Sequence, residues 1–394
     1  MKKLLFLVPL ACLVACQGDE SLPQVLPQEQ VVTIGSVLDN HADFEVYAGG
    51  TRRSAYQGTE PEAGNPLNAF VWSSTTSATY PHSNTSGDGS QSNGYVVTKH
   101  AYAAFYSKST ALDRAGQRGF VFPVNGKVTP DVYFVGLAPA VNDEPNNDLW
   151  TTNAGSTQAI FTFHGNEDVM YAPEVSGHYS GDIPLLHFYH LLTHLRFVFK
   201  CEGDTEEARE EVSYAWGKIK NIKLVKQNNG ADNPRNKVTI DLSRVATSLT
   251  QVESRSAFTS TADYLSLYKK GSDVYFPQNP ATLVDDESKH VEIPVSEDGE
   301  ELAYLLCAPV TATAGTVGAL TDEYTLLMNT EKRSNVSIPI DLMVGKNSYF
   351  SGSTMGCEFV VTLTFRFGKV IATATAMYDW SQEGGQSPVD ITDE

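Results

Sequence analysis

From Phe359 to Phe367 every second residue is apolar: Phe359, Val361, Leu363, Phe365 and Phe367 alternate with Val360, Thr362, Thr364 and Arg366. A period of two marks a strand with one face in a core and the other toward water. Gly368-Lys369 follows, and residues 370–378 run back with Ala372 and Ala374 opposite Thr373 and Thr375. Two such runs joined by two residues, the first a glycine, predict a β-hairpin with a type II′ turn. A second dense apolar stretch, residues 185–200, lies near the midpoint. Read with the same period, it puts Tyr189, Leu191, Thr193, Leu195, Phe197 and Phe199 on one face, and Phe188, His190, Leu192, His194, Arg196, Val198 and Lys200 on the other. Its first part is apolar on both faces, as in a buried strand, and its second part alternates.

A dozen or more further short runs of this kind occur, each bounded by Gly, Pro, Asn or Asp. A helical signal is found at residues 204–216, with Asp204 as the expected cap and Ala208, Val212 and Ala215 on one face. The predicted fold class is all-β: two β-sandwiches in tandem with at most one or two short helices. At 394 residues the chain is too long for one ordinary core. The expected division is an N-terminal sandwich over residues 31–183 and a C-terminal one over 184–394.

The N-terminus reads as an export signal. Lys2 and Lys3 precede an apolar run over residues 4–13, too short to span a bilayer, and Leu13-Val14-Ala15-Cys16 closes it. Residues 1–15 are therefore expected to be removed as a signal peptide. Residues 16–30, polar with Pro23 and Pro27, are expected to form an extended tether. The formal net charge of −19 repels phosphate backbones and predicts no nucleic-acid partner. Cys201, Cys307 and Cys357 have no C-x-x-C spacing and sit in strand-like surroundings, which predicts buried free thiols.

Chemistry is sparse. If residues 185–200 were helical, His187, His190 and His194 would share a face and offer three imidazoles to zinc. Phe188 stands where an H-E-x-x-H motif has its glutamate, and no fourth ligand is near, so these are expected to be structural histidines. There is no G-x-S-x-G, no phosphate-binding glycine loop and no calcium loop, so no enzyme, cofactor or metal is predicted. Trp72, Tyr80, Trp150 and Trp380 could stack on sugars, with core or strand-edge roles as the alternative. Residues 73–94 are mostly Ser, Thr, Asn and Gly and are expected to form an exposed loop. Residues 49–54, Gly-Gly-Thr-Arg-Arg-Ser, are expected to form a flexible loop exposing Arg52 and Arg53.

Several of these motifs, in this order, resemble the fimbrillin-like lipoproteins of Bacteroidetes, the type V pilins. Leu13-Val14-Ala15-Cys16 is similar to a lipobox, and the acidic residues after it look like a surface-export signal. Asn68-Ala69-Phe70-Val71-Trp72 and Val132-Tyr133-Phe134-Val135-Gly136-Leu137-Ala138-Pro139 resemble the family's N-terminal strands. Phe188-x-His190-x-Leu192-Thr193-x-Leu195-x-Phe197 resembles its central motif, and Tyr349-Phe350, Gly356, the hairpin and Trp380 its closing strands. One departure is Cys357-Glu358-Phe359, where the family usually carries a tyrosine.

The resemblance implies two transthyretin-like sandwiches and a precursor acylated on Cys16 by palmitate-like chains, held in the outer membrane and displayed at the cell surface. It further implies assembly by donor-strand exchange. An arginine-specific protease cuts the loop after the first strand, at Arg52 or Arg53 here, with Arg114 and Arg118 as later possibilities. Residues 31–46 would leave, and the region from Val370 onward of the next pilin subunit would fill the groove. Tip and anchor members also exist, and a non-polymerising surface lipoprotein binding a glycan or a host or bacterial ligand is the second reading.

Overall fold

A computed structural model describes residues 33–38, 67–74, 77, 98–105, 109–111, 132–139, 150–151, 158–177, 186–227, 233–242, 246, 249–281, 285–312, 324–344, 348–349 and 351–376. In the first half these form β1 (Thr33–Leu38), β2 (Leu67–Ser74), β3 (Thr98–Phe105), β4 (Ser109–Ala111), β5 (Val132–Ala138), β6 (Trp150–Thr151), β7 (Gln158–Thr162), β8 (Met170–Gly177) and β9 (Leu186–His190). Then come β10 (Thr193–Cys201), α1 (Glu206–Trp216), β11 (Ile219–Gln227), β12 (Lys237–Asp241), α2 (Leu249–Arg255), β13 (Ser256–Thr259), β14 (Leu265–Ser266) and β15 (Tyr268–Lys269). The chain ends with β16 (Glu300–Cys307), β17 (Thr311–Ala312), β18 (Tyr324–Thr330), β19 (Val336–Val344), β20 (Ser348–Tyr349), β21 (Gly352–Ser353), β22 (Glu358–Phe365) and β23 (Val370–Ala376). The protein is all-β, as the alternation predicts.

Seven strands form one sheet in the order β3-β2-β5-β8-β9-β1-β4. Ten form another, along the path β14-β11-β18-β19-β23-β22-β10-β16-β15 with β20 against β19. A four-stranded sheet, β13-β12-β7-β6, joins strands from both halves of the chain. The two ends of the ten-stranded path, β14 and β15, are separated in sequence by Leu267 alone. That one segment pairs with β11 through Leu265 and Ser266, and with β16 through Tyr268 and Lys269. The sheet thereby curls onto itself and hides edges that would otherwise invite pairing with another chain.

β10 sits at its centre, antiparallel to β16 and parallel to β22. The parallel register sets Leu195, Phe197 and Phe199 beside Phe359, Val361 and Leu363, and all six are fully buried. Each such side chain contributes about 1.5–3 kcal/mol by leaving water. One apolar core runs on from here to Phe161, Val238 and Ile240 of the four-stranded sheet, and to Val135, Leu137 and Tyr171 of the seven-stranded one. Cys201, Cys307 and Cys357 are free and buried; burial pushes the first two thiols up to about 11 and about 12.

The central stretch is two strands, and its inward face changes between them. In β9 the even residues Leu186, Phe188 and His190 are buried, whereas in β10 the odd residues Leu195, Phe197, Phe199 and Cys201 are. Leu191 and Leu192 lie between them, where the chain leaves the seven-stranded sheet for the ten-stranded one. The apolar character of both faces there comes from this crossing.

Two local expectations are corrected. The cap of α1 is Thr205, whose side chain accepts from Ala208 N at 3.2 Å, and not Asp204. Thr205→Ala is expected to cost about 1 kcal/mol and Asp204→Ala less, read from urea midpoints of the two variants; the reverse order would return the cap to Asp204. In the last hairpin the final ladder pair is Phe365 with Val370, and Arg366 N donates to Lys369 O at 2.9 Å. The turn is thus Phe367-Gly368, and neither residue has a φ in the left-handed region that a type II′ turn requires at its first position. Tertiary contacts set it: Trp216 Nε1 donates to Arg366 O at 2.7 Å, and the Arg333 guanidinium donates to the carbonyls of Phe367 and Gly368. The helix α2 has no counterpart in the sequence reading. Among the described residues no helix is long and apolar enough to cross a membrane.

Candidate functional site

β1 is a short strand held by two half-ladders. Thr33, Ile34 and Gly35 pair antiparallel with Ala111, Thr110 and Ser109 of β4. Ser36, Val37 and Leu38 pair parallel with Leu186, His187 and Phe188 of β9. Each neighbour thus contacts half of a six-residue strand. So few ladder pairs make β1 a low-cost element to withdraw, and its departure would uncover backbone donors and acceptors on β9.

β9 is held by packing on one strand and pairing with another. The Phe188 ring, fully buried, lies directly over Gly136 of β5. A Cβ at position 136 would stand 2.4 Å from Phe188 Cζ and 3.0 Å from Ala172 Cβ, so only glycine admits the ring. The other edge of β9 is paired with β8, at Met170–His190 and Tyr171–Tyr189.

Where β9 passes into β10, buried histidine–carboxylate pairs pin both sides of the crossing. His190 Nδ1 lies 2.8 Å from Asp168 Oδ1, and His194 Nδ1 lies 3.0 Å from Glu358 Oε2. Arg196 donates to the other Glu358 oxygen at 2.9 Å and makes a two-pronged contact with Glu301, which also meets Lys270 at 3.3 Å. Burial alone would raise the Glu358 carboxyl, but His194 and Arg196 hold it below the ordinary glutamate range. Burial likewise works against the charge of Arg196, yet Glu301 and Glu358 raise its pKa. Glu167 is similar: desolvation is outweighed by the ring and backbone N–H of His164. Next to this cluster Tyr324 OH, Thr193 Oγ1 and Thr354 Oγ1 form a fully buried hydroxyl triangle with spacings of 2.7–3.3 Å.

The histidine trio of the sequence does not converge. The segment is not helical; His187 is exposed on β9, while His190 and His194 each face a carboxylate. Among the described residues no group of three or more His, Cys, Asp or Glu side chains is arranged to hold a metal. Trp150 is buried, with Nε1 donating to Pro139 O at 3.0 Å, and so offers no sugar platform. Cys16, Arg52, Arg53, Arg114, Arg118, Tyr80 and Trp380 lie outside the described residues, as does the side chain of Trp72. Val370–Ala376 is already taken as β23, antiparallel to β22 along one edge and parallel to β19 along the other. Of the region expected to supply a donor, only residues 377–394 lie beyond that strand. Sequence reasoning missed Asp168, Glu301 and Glu358; a charged residue opening an otherwise apolar strand was the available signal for the last.

No family model matches this chain, and no curated protein matches it. Solved structures do. One, a provisionally named cell adhesion protein from Bacteroides uniformis ATCC 8492, is 13% identical over 89% of this chain and 99% of its own, with a TM-score of 0.41. Another of the same name from Bacteroides ovatus ATCC 8483 is 10% identical over 90% of this chain and 99% of its own, with a TM-score of 0.43. A fimbrial assembly protein from Parabacteroides distasonis ATCC 8503 is 12% identical over 87% of this chain and 94% of its own, with a TM-score of 0.36. Their geometric likeness is loose.

Proposed function

We propose that this chain is a structural, non-catalytic subunit of a surface fimbrium that supports adhesion. It is exported, anchored to the outer membrane through acylated Cys16, and joined to other pilin subunits by donor-strand exchange. The observation that carries the reading is β1. It is an N-terminal strand held by two three-residue ladders, and its removal frees the edge of β9. In the sequence it lies between the lipobox and the Arg52-Arg53 loop. Those are the three parts that such an exchange requires: a tether, a removable strand and a cut site behind it. Main-chain pairing along β9 supplies affinity for an incoming strand, and alternate side chains supply specificity. Because β23 is paired on both edges, the donor belongs to residues 377–394.

Limited trypsin digestion of the protein lacking its lipid tests this, followed by N-terminal sequencing and a sizing column. The first cut is expected after Arg52 or Arg53, and multimers that fall apart on heating are expected to follow. A variant ending at residue 376 should be cut equally fast and stay monomeric. A loop that resists the protease, or a cut product of full length that remains monomeric, would overturn the polymerising role.

A further inference from the structure

Residues 285–295 run outside the named strands of the sheets as a strap, with one isolated β-bridge to them, between Val291 and Ile219 at the start of β11. One end is tied to α1, where Ser213 Oγ donates to Ile293 O at 3.1 Å and Arg209 Nε donates to Val295 O at 2.6 Å. The other end is tied by His290. Its imidazole is 2% exposed, with Nε2 at 2.8 Å from Asp285 Oδ1 and Nδ1 at 3.2 Å from Glu331 Oε1. Glu331 opens the turn between β18 and β19, so this one ring joins the strap to the ten-stranded sheet.

A neutral imidazole carries one N–H and can donate to only one of the two carboxylates; its bare nitrogen then faces the lone pairs of the other. An imidazolium donates to both. The remaining charged groups around the ring are held in pairs. Lys220 pairs with Asp285, Lys218 pairs with Glu292 and gives its backbone N–H to Glu331, and Lys289 pairs with Asp286. Asp285 is held at about 2, by Lys220 first and then His290, and Glu331 is also held below its ordinary value, by the Lys218 N–H first and then His290. Both therefore stay ionised while the ring titrates. Burial opposes the charge on His290, but the two carboxylates overcome it and the ring titrates above its ordinary value.

We propose that His290 is a pH-sensitive clasp. Protonated, it fastens the strap to the β18–β19 turn; neutral, it releases one of its two carboxylates and loosens the strap. Val291–Val295 is one wall of an open surface groove of about 960 Å³ whose other wall is α1, with Glu207, Glu211 and Tyr214 lining it. The clasp thus governs the shape of that groove. A group whose folded pKa is raised contributes stability that is complete below its unfolded value and is lost as pH rises through the folded one. The strap is consequently firm in mildly acid medium and loose in alkaline medium.

Amide hydrogen exchange read by mass spectrometry on the whole protein tests the clasp at about pH 6 and about pH 8.5, after correction for the intrinsic rate. Peptides covering residues 285–295 should exchange several-fold faster at the higher pH, while peptides of β10 and β22 serve as unchanged references. His290→Asn should exchange fast at both pH values. Equal corrected rates in the wild type, or a pH difference that survives in His290→Asn, would overturn the clasp. Should that variant fail to fold, the NMR titration of the His290 ring in the wild type decides. Protonation at or below the ordinary histidine value would equally overturn the proposal.

Discussion

Glu358→Ala is expected to destabilise the ten-stranded sheet by about 3–5 kcal/mol, because it strips the part-buried Arg196 guanidinium of a buried carboxylate and takes the hydrogen-bond partner of His194. Glu358 is 3% exposed and meets His194 at 3.0 Å and Arg196 at 2.9 Å. Without it Arg196 keeps Glu301 but loses the second of its two carboxylates. The useful comparison is Glu292→Ala. That carboxylate is 78% exposed and pairs with a Lys218 that is 44% exposed, so solvent screens the loss and the cost is expected below about 1 kcal/mol. The pH dependence separates the two further. The carboxyl of Glu358 lies below its ordinary value of 4.5 in the fold. Its contribution is therefore present above the unfolded value and disappears as pH falls through the folded one. Wild-type stability should decline on the acid side of about pH 4.5, and the Glu358→Ala variant should show a flatter acid limb. Urea midpoints at about pH 7 and about pH 3.5 measure both effects. A cost no larger than that of Glu292→Ala, or an unaltered acid limb, would mean that the cluster is not the buried network described.

Much of the architecture was legible in single residues. The alternation from Phe359 to Phe367 gave both a strand and its buried face, since Phe359, Val361, Leu363 and Phe365 are all fully buried and Phe367 stands exposed at the turn. Local signals failed where distant contacts decide. Gly368-Lys369 looked like a type II′ turn, but Trp216 and Arg333 seize three carbonyls of that loop and centre the turn one residue earlier. Asp204 and Thr205 are both good caps by composition, and only the backbone path shows which of them precedes the first helical residue. The face of residues 185–200 was hidden for another reason. A strand that changes sheets reverses its inward side, and no period read along one chain segment can report that.

The candidate site was legible in part. The first strand could be read directly, since β1 covers Thr33–Leu38, whereas the expected tether and arginine loop lie outside the described residues. The ion cluster could not, because Glu358 and His194 are 164 residues apart and meet through a parallel pairing of β10 with β22. Parallel neighbours leave no turn signature between them. The same holds for β7 and β12, which join the two halves of the chain in one small sheet. What the sequence did carry was the chemistry of each partner: two histidines four residues apart, an arginine between apolar neighbours, and a glutamate at the head of an alternating strand. Those residues are costly to bury alone, and their burial was itself a reason to expect partners.

Gly136→Ala is expected to cost at least about 1–3 kcal/mol, a large effect for one methyl group. The added Cβ would lie 2.4 Å from Phe188 Cζ and 2.7 Å from Cε1, and 3.0 Å from Ala172 Cβ on the neighbouring strand. Phe188 is fully buried, so its ring cannot swing out to solvent without giving up that burial. Relief is expected from displacement of β9, the strand on which Val37 and Leu38 of β1 are laid. The substitution should accordingly do two things: lower the unfolding midpoint of the protein, and speed the first tryptic cut behind β1. Phe188→Leu removes the ring atoms that clash. In the double variant Gly136→Ala/Phe188→Leu the total loss should be smaller than the sum of the single losses, because the pair in contact is coupled. Strict additivity would show that the ring is not seated on Gly136. A lowered midpoint with an unchanged cutting rate would show instead that β1 does not feel the position of β9, and the exchange mechanism would lose its structural basis while the fold kept it.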